Sequence, residues 1–144
     1  MGSFPDTAKQ RFYEVTIFRV RPGHERAFDE AAKAYGAASK RAGSETGFRV
    51  YEVIAGMIGP TYLVFSSVPA FGQFDKVMAE GDATMKGINE VEAAAFQKFF
   101  TEGSVNTETH RFRVDPGMSY VPADVRASDP FWAPKKPAPK TSSQ

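Results

Sequence analysis

The chain has 144 residues, 42% of them hydrophobic and 13 of them Phe, enough for one domain whose core needs neither metal nor disulfide. With 18 Lys and Arg against 17 Asp and Glu, the formal charge of +1 lacks the basic surplus that nucleic-acid binding requires. There is no Cys, which excludes disulfides, a thiol nucleophile and thiolate metal ligands.

No apolar run approaches the roughly 20 residues that span a bilayer, so no membrane partner is expected. Met1-Gly2-Ser3 reads as an added remnant; a cytoplasmic location and export after loss of a leader are both compatible with it.

Residues 1 to 10 are polar, carry Pro5 and read as a flexible arm. A main domain is expected over 11 to 117. It opens with "RFYEVTIFRV", in which Tyr13, Val15 and Ile17 share one face and Phe12, Glu14, Thr16 and Phe18 the other, the period of a strand. Pro22-Gly23 ends it. His24 then begins a helix to Arg41, with Ala27, Phe28, Ala31, Tyr35 and Ala38 on one stripe and Gly43 as the C-terminal cap. At that position His24 reads as helix punctuation, not chemistry.

Residues 48 to 55 and 61 to 67 predict two antiparallel strands joined through "GMIGP". A second helical region follows from 70 to 102, broken near "EGDATMKG" by Gly81 and Gly87. Its later half places Ile88, Val91, Ala95 and Phe99 on one face. A final strand over 104 to 114 stops at Asp115-Pro116-Gly117.

The order β-α-β-β-α-β predicts an α+β fold, the ferredoxin-like plait: a four-stranded antiparallel sheet with two helices on one face. Residues 118 to 144 hold most of the late prolines and read as an extended tail, with Phe131-Trp132 as an anchor on its own domain or on a partner subunit. Both sheet faces are apolar enough that a homodimer with facing sheets, closing an α+β barrel, is expected.

The segments "FYEVTIFRVRPGHERAF", "RVYEVIAG", "TYLVFSS" and "TETHRFRVDPGMSY" resemble the dimeric α+β barrel superfamily, with its antibiotic-biosynthesis monooxygenases and stress-responsive barrel proteins, and most nearly its uncharacterised bacterial members. The resemblance covers about residues 11 to 134 and implies fold and dimerisation. It says little about reaction.

Candidate chemistry rests on ionisable residues set into strands. Glu14, Glu52, Glu108 and His110 are the catalytic candidates; Glu108 and His110 share a face, and if Glu14 and Glu52 enter the same cavity, one of them, its pKa raised by desolvation, would serve as acid or base with His110. The plainer expectation for each is solvent, or pairing with Arg49, Arg111 or Arg113. Tyr13, Arg49, Tyr51, Tyr62, Phe18 and Met85 are ligand-binding candidates for a small apolar or aromatic compound, with Met78 and Met85 on a lid near the glycines.

No cofactor or metal is expected. The region 70 to 102 has no His to match the axial ligand of haem-degrading relatives, and neither G-x-G-x-x-G nor G-x-S-x-G occurs. Two functions are therefore weighed. One is a cofactor-independent enzyme on an aromatic or polyketide-like compound, with monooxygenase-like or isomerase, cyclase or lyase chemistry. The other is a non-catalytic ligand-binding or stress-associated dimeric barrel protein.

Overall fold

A computed structural model describes residues 9–133. Four strands, β1 (Phe12–Val20), β2 (Phe48–Glu52), β3 (Thr61–Val68) and β4 (Ser104–Arg113), form one sheet in the order β2-β3-β1-β4. All three pairings are antiparallel. The helices are α1 (Glu25–Arg41), α2 (Phe74–Lys86), α3 (Glu90–Lys98) and a short α4 (Ala123–Ser128), with a π-helical turn over Phe99–Gly103 leading into β4. This is the α+β ferredoxin-like plait that the element order predicts.

Alternation along β1 decides which residues meet the helices. Phe12 lies edge-on to Phe74 of α2, and Phe18 packs on Phe28 of α1 with ring centroids 5.5 Å apart. The even-numbered residues of β1 therefore form the helix face, and Tyr13, Val15, Ile17 and Arg19 form the outer face. Val20, Ala27, Phe28, Ala31 and Phe99 make the core cluster. Alanines at 27, 31, 34 and 38 let α1 approach closely enough for Phe28 to stack on Tyr62 at 4.2 Å.

Two glycines do work that a side chain would spoil. Gly43 follows α1 at φ +70, and the amides of Gly43 and Ser44 return to the carbonyls of Lys40 and Ser39, a Schellman ending. Gly103 is buried, and a Cβ there would lie 3.2 Å from both His24 Cβ and Phe99 Cδ2. His24 occupies the N-cap of α1 without a side-chain cap bond; its carbonyl receives the amides of Ala27 and Phe28.

The structure corrects four expectations. β2 stops at Glu52, because only the Val53 amide still reaches β3; Ile54 is 95% exposed and Gly56 turns the chain at φ +87. The second helical region breaks at Gly87, not Gly81. α2 runs through Gly81, since one glycine costs a helix only about 1 kcal/mol, and Asn89 restarts α3 with a reciprocal capping box to Glu92. That cap sets the phase of α3, so Val91 is 81% exposed while Glu92, Ala95, Phe96 and Phe99 turn inward. Finally, part of the segment read as extended is helical: α4, then a 3-10 turn over Pro130–Trp132.

Trp132 is buried, and the Arg11 guanidinium stands 3.8 Å above the Phe131 ring while pairing with Asp129. The anchor thus docks on its own chain. The expected flexible arm falls mostly on residues 1–8 and the Pro-rich end on 134–144, both outside the described residues; Gln10, within the expected arm, is buried.

Candidate functional site

Between the helix face of the sheet and helices α1, α2 and α3 lies an open cleft of 380 Å³. Its sheet wall carries Glu14, Thr16 and Phe18 from β1, Val64 and Ser66 from β3, and Phe48 and Val50 from β2. Its helix wall carries Phe28, Ala31, Ala32 and Tyr35 from α1, Glu80 and Met85 from α2, and Phe96 from α3. Apolar surface dominates, with seven aromatic rings in it, as in pockets for small apolar compounds. Of the expected ligand residues, Phe18 and Met85 line this cleft.

Both acids on the wall are engaged. Arg111 lies opposite Glu14 across the β1–β4 pair, and its Nε donates to Glu14 Oε2 at 2.6 Å while its guanidinium lies 4.7 Å from the Phe74 ring centroid. Glu80 Oε2 accepts from Ser44 Oγ at 2.8 Å and from the Thr46 amide at 3.0 Å. Burial works to raise the Glu80 carboxyl, but the bonds from Thr46 and Ser44 outweigh it and hold the group below its ordinary value. Burial pushes the Tyr35 phenol up, leaving it a protonated donor at neutral pH.

Glu80 and its Ser44 and Thr46 donors escaped the reading of the sequence. No local signal marks them, since 34 and 36 residues separate the partners.

The catalytic candidates divide between the two faces. Glu14 is on the helix face, and Glu52 shares it because it pairs with Tyr62, whose ring stacks on Phe28. Glu108 pairs with Ile17 and His110 with Val15, which puts both on the outer face. Glu108 binds Arg19 and also lies 3.3 Å from His110 Nε2. The hydrogen bond from Arg19, then that from His110, hold the Glu108 carboxyl below the ordinary range, the opposite of what a general acid requires.

Tyr13, Arg49 and Tyr51 also belong to the outer face, where Tyr51 meets Phe65 edge-on at 5.2 Å. Tyr62 is on the helix face as part of the core packing and is not on the cleft wall. Burial raises the Tyr13 and Tyr62 phenols. Met78 is 61% exposed on an unbroken α2, so the lid expected near the glycines has no hinge at Gly81. Among the described residues no group of three or more His, Asp or Glu converges as a metal site, and no helix is long and apolar enough to cross a membrane.

No family model and no curated protein matches the chain. Solved structures do. A NIPSNAP-like domain protein from Burkholderia xenovorans is similar at TM-score 0.55 and 15% identity, over 79% of this chain and 90% of that one. A NIPSNAP domain protein from the same organism gives 0.53 and 8%, over 72% and 94%. A dimeric ferredoxin-like protein from an uncultured marine organism gives 0.52 and 10%, over 82% and 97%. The shared property is the ferredoxin-like fold. Both Burkholderia proteins are described as uncharacterized.

Proposed function

We propose that this chain is a non-catalytic ligand-binding protein that holds a small apolar or aromatic compound in the cleft and pairs with a second copy through its outer sheet face, in the manner of the dimeric α+β barrels it resembles. The observation that carries this reading is the cleft wall: an aromatic surface whose two acids are both tied into structural bonds. A proton-transfer enzyme on an aromatic compound has less support. Its four candidates divide between two faces, and Glu108 is held ionised by Arg19.

The dimer rests on the outer face, where Ile17, Leu63 and Phe65 are flanked by Tyr51, 46% exposed, and Phe112, 54% exposed. Apolar sheet surface of that kind favours an isologous partner. A neighbour of the same fold is described as dimeric.

Titration with the uncharged fluorophore N-phenyl-1-naphthylamine tests the cleft. Saturable binding is expected, lost when Val50→Trp fills the cleft and kept in Tyr51→Glu. Absence of saturable binding defeats the reading. Light scattering coupled to size exclusion tests the dimer: twice the chain mass for the native protein, one chain mass for Tyr51→Glu. A native protein at one chain mass overturns the dimer.

A further inference from the structure

We infer that the cleft selects uncharged compounds that carry an O–H or N–H donor, with Glu14 as the acceptor, and that it turns away carboxylates and phosphates; this rests on the cleft being a binding site. The charged residues on its wall are Glu14 and Glu80, both acids, and among the described residues no Lys, Arg or His lines it. An anion entering would lose water among apolar side chains and gain no cation on the wall in return.

The two acids are not equivalent. Glu80 is a tie between α2 and the loop before β2: Ser44 and Thr46 take Oε2, and Lys76 stands 3.8 Å from Oε1. Glu14 is bound at one oxygen only. Arg111 reaches Oε2 from β4, outside the cleft wall, and among the described residues no donor reaches Oε1. A carboxylate has about four acceptor sites, so Glu14 keeps acceptor capacity at the cleft while Arg111 balances its charge. An ammonium ligand gains less there than a neutral donor, because Arg111 has already met the charge.

Displacement of N-phenyl-1-naphthylamine by three matched probes at pH 7 tests the selection. 2-Naphthol is expected to bind roughly tenfold more tightly than 2-methylnaphthalene, as one hydrogen bond to a charged acceptor allows, and 2-naphthoate most weakly. Glu14→Leu should abolish the naphthol advantage. Glu14→Gln, which retains an acceptor oxygen, should keep most of it and guards against a folding artefact. Equal binding of 2-naphthol and 2-methylnaphthalene, or tightest binding of 2-naphthoate, overturns the inference while leaving the cleft a binding site. No binding of the fluorophore removes both.

Discussion

Glu14 and Arg111 stand directly opposite each other in the β1–β4 ladder and are joined by a 2.6 Å hydrogen bond on the helix face. His110, one residue earlier, turns to the other face and meets Glu108 at 3.3 Å. A single step along β4 thus separates a charge pair beside the cleft from one on the outer face.

The Glu14 to Arg111 pair is half in solvent, with side-chain exposures of 20% and 45%. A double-mutant cycle with Glu14→Gln and Arg111→Gln, followed by urea unfolding, is expected to give a coupling of about 0.5–1 kcal/mol. The coupling should shrink as salt is added. A value that does not respond to salt would mean the contact is not an ion pair in solution.

Phe99 is 1% exposed and touches Phe18 and Phe28, whereas Val91 on the same helical segment is 81% exposed. Phe99→Ala should cost about 3–5 kcal/mol, and Val91→Ala less than about 0.5 kcal/mol. Comparable losses for the two would show that α3 is rotated from the phase set by Asn89.

The docked tail should respond to acid. The Phe131 amide and the Arg11 guanidinium hold the Asp129 carboxyl below the usual range. A lowered carboxyl contributes in full above its unfolded value of about 3.9, and the contribution disappears as pH falls through the lower folded value. Emission from Trp132, the single Trp, should therefore shift to the red below about pH 4 in the native protein. Asp129→Asn should weaken docking already at pH 7 and lose the acid step. Identical emission from both proteins at pH 7 would mean that ring burial alone holds the tail.

Period-two spacing in "FYEVTIFRV" correctly divides Tyr13, Val15 and Ile17 from Phe12, Glu14 and Phe18, and the Ala stripe identifies the buried side of α1. Ends marked by special chemistry are legible too, as Gly43 shows. At α3 spacing is right for Ala95 and Phe99, which turn inward, and wrong for Val91, which looks like core until the Asn89 cap fixes where the helix starts. It also fails at the site: pairing of the strand Glu with a strand Arg is an open expectation until the β1–β4 register names Arg111 for Glu14.

The amino-acid sequence by itself determined the order of the strands and main helices, the two faces of β1 and the Gly43 cap of α1, because those follow from interactions within a few residues. Only the tertiary structure decided which face the helices cover, and with it that Glu14 borders the cleft while Glu108 and His110 lie on the outer face. The physical reason is separation along the chain. Glu14 meets Arg111 across 97 residues and Arg11 meets Asp129 across 118, and contacts of that length are set by strand register and packing, which no local pattern encodes.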